Sequence, residues 1–139
     1  MRINILFIAI VFFIVTGCEK DQLDPIIGKW ILVNKSIDGS NVELTDCILK
    51  SNVIFSNDKN VTFNAYNIKD DTGDCEFQSW VETWSGGKNG RYGVYNGSLF
   101  IQERWFQIEN SQLIYYIEAW EITEEDVITH DIFIEYEKQ

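Results

Sequence analysis

The sequence predicts an all-β domain, an antiparallel up-and-down barrel of eight or nine strands. From Ile26 onward nearly every apolar segment is short, rich in Ile, Val, Phe, Tyr and Trp, and closed by Asn, Asp, Gly or Ser, which is the signature of strands and turns. No long stretch repeats with the 3.6-residue period of a helix. Connections such as Ser56-Asn57-Asp58-Lys59, Asn96-Gly97 and Asn110-Ser111 leave no room for crossover helices, so successive strands are antiparallel neighbours. A meander of this kind removes its exposed edges by closing on itself.

The first strand, Ile27 to Ile37, follows Pro25, the sole proline, placed where a missing ladder donor costs nothing. Asp38 to Ser51 is the one sizeable irregular stretch. Strands follow at Asn52 to Phe55, Asn60 to Tyr66, Glu76 to Trp84, Arg91 to Tyr95, Ser98 to Gln102, Arg104 to Glu109, Gln112 to Glu121 and Val127 to Glu137. Between them, Asn96-Gly97 suits a type I′ turn because both residues tolerate positive φ, and Gly86 to Gly90 forms a looser hairpin. Glu124-Glu125-Asp126, after Thr123, reads as a charged hairpin tip. In the last strand Ile128, His130, Ile132, Ile134 and Tyr136 share one face, which looks inward. In the preceding strand Leu113, Tyr115, Ile117 and Ala119 oppose Ile114, Tyr116, Glu118 and Trp120, and periodicity does not choose between the two faces. The alternative architecture is a β-sandwich of the immunoglobulin type, which wants a core tryptophan between its paired cysteines; none of the five tryptophans lies between Cys47 and Cys75.

Ahead of this domain, Arg2, an apolar run from Ile3 to Val15 and the small pair Thr16-Gly17 before Cys18 have the order of a secretory signal. At ~1.5 Å per residue the run spans about 20 Å as a helix, short of a hydrocarbon core of roughly 30 Å. The end of this segment resembles the lipobox of bacterial lipoproteins. Residues 1–17 are therefore expected to be a lipoprotein signal peptide, 18–25 the lipidated Cys18 with a polar tether, and 26–139 the barrel domain. Lipid on Cys18 would hold the protein to a membrane, in the cell envelope. Glu19 is not the aspartate associated with inner-membrane retention, so the outer membrane, on its periplasmic or surface side, is the expected destination. Removal of the signal takes Arg2 and leaves 10 basic against 22 acidic residues, a formal charge of −12. That charge argues against nucleic acid as a partner.

Of three cysteines, Cys18 would be consumed by the lipid. Cys47 and Cys75 remain as an even pair in a disulfide-permissive compartment, and a bond between them is expected. The first strand, Ile27-Gly28-Lys29-Trp30-Ile31-Leu32-Val33, resembles the Gly-x-Trp opening of lipocalins. With Leu44-Thr45-Asp46-Cys47 and the later Cys75, the chain is similar to the lipocalin-like domain of small bacterial lipoproteins. The resemblance implies a barrel-closing motif in which Gly28 allows close backbone approach and Trp30 plugs one end. The chain has no C-terminal helix, and its last strand has no arginine to cover the tryptophan.

The sequence carries no catalytic signature, so no enzyme activity is expected. It contains no nucleophile elbow, phosphate loop or dinucleotide fingerprint. His130 is the only histidine, read as a hydrogen-bonded core or rim residue, with a ligand-reading role inside a cavity as the alternative. One histidine and two distant cysteines make no zinc site. Asp70, Asp71, Asp74 and Glu76 surround Gly73 in an order that departs from a calcium loop, and they read as a solvated turn. No cofactor or metal is expected. Trp80, Trp84, Trp105 and Trp120 with six tyrosines supply amphipathic aromatic surface suited to a small apolar or aromatic ligand at a barrel mouth. The alternative function is a surface or periplasmic interaction module whose barrel is filled by its own side chains.

Overall fold

The computed structural model describes residues 24–87, 90–95, 104–122 and 127–139. Along these residues run β1 (Gly28–Ile37), β2 (Ser40–Asn41), a 3-10 turn (Ile48–Lys50), β3 (Asn52–Phe55), β4 (Asn60–Ile68), β5 (Cys75–Gly86), β6 (Arg91–Tyr95), β7 (Arg104–Glu109), β8 (Gln112–Ile122) and β9 (Val127–Lys138). The strand order is β2-β1-β3-β4-β5-β6-β7-β8-β9, and β1 also pairs with β9. Eight strands thus close into an antiparallel barrel, with β2 a two-residue extension paired to β1. Because first and last strands are hydrogen-bonded, there are no two facing layers, and the sandwich alternative is excluded. The expected strand Ser98 to Gln102, the Asn96-Gly97 turn, the Glu124 to Asp126 tip and residues 1–23, including Cys18, lie outside the described residues.

Closure depends on β1 serving two neighbours. Its first half pairs with β3, from Gly28↔Phe55 to Ile31↔Asn52, while the run from Trp30↔Lys138 to Ile37↔Ile132 pairs with β9. A register shift between Leu32 and Asn34 bends the strand around the barrel, as a bulge does. The turns take the conformations their residues favour. Asn110 and Ser111 both have positive φ, 49° and 68°, as do Asp38 and Gly39, 50° and 77°, the two-residue geometry that matches strand twist. Asp38-Gly39 turns the chain from β1 into β2 inside the stretch expected to be irregular.

The sealed end holds the core. Trp30, Phe55, Trp84, Tyr92, Phe106 and Leu113 are buried there with Ile26 beneath them. Phe55 meets Trp84 edge-on at 5.8 Å and Phe106 at 4.9 Å, favourable aromatic geometry. Trp30 is 2% exposed, and its indole Nε1 donates to the Ile26 carbonyl at 2.8 Å. The cation over this ring is Lys138, whose Nζ sits 5.2 Å from the ring centroid and donates to the Pro25 carbonyl at 2.9 Å. A lysine at the end of β9 thus stands over the tryptophan in a strand without arginine. Gly28, at φ 129°, passes so close to Lys138 that a Cβ there would lie 3.2 Å from Cε.

At the other end, Cys47 and Cys75 are disulfide-bonded with Cα atoms 5.7 Å apart. The bond ties the segment before the 3-10 turn to the start of β5. There the β4–β5 ladder continues to Ile68↔Cys75, two residues further along β4 than its polarity suggests. The hairpin is closed by Lys69 N–H to the Asp74 carbonyl and Gly73 N–H to the Lys69 carbonyl, at 2.9 and 2.8 Å.

Candidate functional site: the open mouth of the barrel

The inward-facing rows lose burial steadily from the sealed end to the other. On β4, Val61 and Phe63 are buried, Ala65 is half-buried and Asn67 is exposed. On β5, Trp84 and Glu82 are buried, Trp80 is 41% exposed and Gln78 is exposed. On β9, Tyr136 is buried, Ile134 and Ile132 are half-buried and Ile128 is exposed. Water therefore reaches the inside through the end that carries the Asp38-Gly39 turn and the Lys69 to Asp74 hairpin.

Where the aromatic plug gives way to this mouth, four inward side chains form a polar cluster. Glu82 on β5 and Arg104 on β7 make an ion pair in which Nη1 donates to Oε1 at 3.0 Å, while Nη2 lies 3.0 Å from Oε2, which is buried and accepts no hydrogen bond. Their side chains are 4% and 18% exposed. Arg104 Nη1 also donates to the Tyr115 hydroxyl at 3.3 Å, and Trp80 Nε1 donates to Glu82 Oε1 at 3.1 Å. β6 lies between β5 and β7 in the barrel, and the guanidinium reaches across to Glu82 on β5. Burial pushes the Tyr115 phenol up to about 12, with the nearby Glu82 charge adding to the rise and the Arg104 charge opposing it, so the hydroxyl is neutral at ordinary pH and able to donate a hydrogen bond.

Apolar surface faces this cluster. The Trp80 ring lies parallel to Phe63, 7° between planes and 5.1 Å between centroids, so one face is covered while the residue stays accessible from the mouth. Pairing decides the orientation of β8 that periodicity leaves open. Leu113↔Tyr136, Tyr115↔Ile134 and Ile117↔Ile132 put Leu113, Tyr115 and Ile117 inside, and Ile114, Tyr116 and Glu118 outside. Ile117 and Ile134 pack on the core from the mouth side.

Trp84 belongs to the sealed core, with Lys59 Nζ 3.9 Å from its ring centroid. Trp80 stands in the mouth. Trp105 is on the outer surface, under the Arg91 guanidinium at 4.5 Å and stacked on Tyr116 at 5.3 Å; the side chain of Trp120 lies outside the described residues. His130 sits at the rim, its Nδ1 2.8 Å from Asp38 Oδ2, while the Asp131 N–H donates to Asp38 Oδ1 at 2.9 Å. These contacts fasten the β1–β2 turn to β9, and the hydrogen bond from His130 is the main cause holding the Asp38 carboxyl below its ordinary value. Among the described residues no three His, Cys, Asp or Glu side chains converge as metal ligands. A hollow of about 250 Å³ on the outer surface is lined by residues that include Trp105, Tyr116, Phe133, Glu118 and Asp131. It is smaller than the roughly 300–1,000 Å³ of ligand pockets. Glu82, Arg104 and Tyr115 carry no sequence signature, and the structure alone brings them together.

An eight-stranded antiparallel barrel, sealed by a buried tryptophan at one end and accessible at the other, defines a lipocalin-type fold. The chain matches the lipocalin-like domain family over residues 26–131 and belongs to that family. A comparison with curated proteins finds no match.

Proposed function

We propose that this protein is a non-catalytic, lipid-anchored binding protein of the bacterial cell envelope that takes a small apolar or aromatic molecule into the open end of its barrel. The observation that carries the binding reading is Trp80, an inward-facing aromatic side chain that is 41% exposed. A barrel filled by its own side chains would cover that ring. Support for export and anchoring comes from the apolar segment ahead of Cys18, and an exported compartment suits the Cys47–Cys75 bond. The proposed location is the outer membrane.

The test is a displacement screen with an environment-sensitive aromatic dye, read through tryptophan fluorescence. Saturable uptake that Trp80→Ala abolishes is the expected result, and a protein that takes up no dye refutes the reading. Anchoring is tested separately with Cys18→Ser, which is expected to abolish labelling by radioactive palmitate; undiminished labelling refutes it. The competing reading, an interaction module, draws on Phe77 and Val81, which are 53% and 60% exposed on the outer face of β5. Dye uptake with normal affinity in a Phe77→Ser, Val81→Ser variant would show that this face is not needed for binding.

A further inference from the structure

We propose that the barrel selects uncharged planar aromatics bearing a hydroxyl or carboxamide group, and discriminates against carboxylates and ammonium ions of the same shape. The inference rests on the reading of the mouth as a ligand site and names the chemistry that site would accept. Its basis is the pairing of two inward charged side chains, the only ones at the depth of the plug among the described residues. Glu82 and Arg104 neutralise each other through two contacts of 3.0 Å, so the cluster presents donors and acceptors without net charge.

A charged ligand group entering this space would lose its water and meet no uncompensated counter-charge, which leaves its desolvation penalty standing. A neutral hydroxyl or amide meets complementary groups instead. A guanidinium carries five N–H donors, and the hydrogen bonds of Arg104 to Glu82 and Tyr115 occupy two of them. The phenol of Tyr115, which accepts from Arg104 at 3.3 Å, still has its own proton to donate. On the ligand side, one hydroxyl both accepts and donates, which matches this set.

The planar aromatic preference follows from Trp80. Its ring is held in two ways, by stacking on Phe63 at 7° and by the hydrogen bond from Nε1 to Glu82, so its orientation is fixed before any ligand arrives. Stacked aromatic pairs gain beyond area burial, and an ordered ring loses little freedom on binding. The same carboxylate thus orients the stacking surface and neutralises the arginine. Ile117 and Ile134 supply aliphatic wall for the rest of the ligand.

The experiment uses three naphthalenes of one shape: 2-naphthalenemethanol, 2-naphthoate and 2-naphthylmethylammonium. Each is titrated calorimetrically into the full-length protein in lipid nanodiscs, with the signal from empty discs subtracted. The alcohol is expected to bind at least tenfold tighter than either ion. Glu82→Gln leaves Arg104 uncompensated and is expected to raise naphthoate affinity at least tenfold, while Arg104→Gln raises affinity for the ammonium instead. Equal binding of the three probes to the natural protein, or tighter binding of either ion, overturns the selectivity while leaving the barrel a ligand site. Absence of binding by all three overturns the ligand reading itself. Far-ultraviolet dichroism checks that each variant is folded; if either single variant fails to fold, the ranking by the natural protein decides.

Discussion

Replacing Arg104 with methionine is expected to destabilise the protein by about 3 kcal/mol. Glu82 would then keep a carboxylate only 4% exposed without its charge partner. Two unit charges 3.0 Å apart attract by about 5.5 kcal/mol at an effective dielectric of ~20. Most of that attraction offsets the desolvation of the two groups, so the intact pair contributes little net stability. Removing one partner exposes the desolvation cost of the other, typically 3–5 kcal/mol. Arg104 is 18% exposed and open toward the mouth, so water partly screens the stranded charge, and the lower end of that range applies. Glu82→Leu combined with Arg104→Met removes both charges and should return stability to within ~1 kcal/mol of the natural protein. Urea unfolding followed by tryptophan fluorescence, with the disulfide intact, gives all four corners of the double-mutant cycle. If Arg104→Met costs less than ~1 kcal/mol, or the double variant is no more stable than the single one, the buried-pair reasoning fails.

Three further perturbations probe the same barrel. Changing Cys47 and Cys75 together to serine frees a loop with a sequence separation of 28. By the chain-entropy relation this costs about 3.5 kcal/mol, a fall in urea midpoint near 2 M for a slope of ~1.5–2 kcal/mol/M, and a fall below ~0.5 M would contradict it. Alkaline stability should decline between pH 10 and 12. Burial raises the phenols of Tyr92, Tyr115 and Tyr136 above their ordinary 10.0, so the unfolded chain releases protons that the folded one retains. For Tyr115, at about 12, the loss reaches about 2.7 kcal/mol. Unfolding midpoints unchanged up to pH 12 would refute this, and Tyr136→Phe should flatten the decline. Ser111→Gly should stabilise by ~0.5–1 kcal/mol, because glycine accepts the φ of 68° at this turn position without strain; differential scanning calorimetry should show Tm rising by about 4 °C, and a fall in Tm counts against it.

Most of the barrel was legible because strand polarity and turn chemistry agreed. Asn110-Ser111 and Ser56 to Lys59 delimit their hairpins where the sequence places them. Asp38-Gly39, the dipeptide that most favours a tight hairpin after Asn-Gly, is obscured by its surroundings. It lies inside a polar stretch, and its partner strand is only two residues long. The bond between Cys47 and Cys75 follows from cysteine arithmetic. The mouth was much less legible, for a physical reason visible on β5. Its inward row is Glu76, Gln78, Trp80, Glu82 and Trp84, whereas Phe77 and Val81 face outward. Polarity alone would turn this strand inside out. Only pairing with β4, whose Val61 and Phe63 face the core, fixes its orientation. The ion pair of Glu82 and Arg104 joins residues 22 apart in sequence on strands that are not direct neighbours, which no local spacing announces.

The point where the chain joins the barrel has a consequence for how cargo would arrive. The Tyr92 hydroxyl grips Asp24 at 2.6 Å and Lys138 grips Pro25 at 2.9 Å, both at the tryptophan-sealed base. Under the proposed attachment at Cys18, the six peptide steps to Asp24 reach at most about 20 Å. The barrel would then stand on its floor above the lipid, with its opening toward water. Guests would come from solution instead of sliding out of the bilayer, and the anchor's own acyl tails, leashed beneath the floor, would be kept from the chamber above.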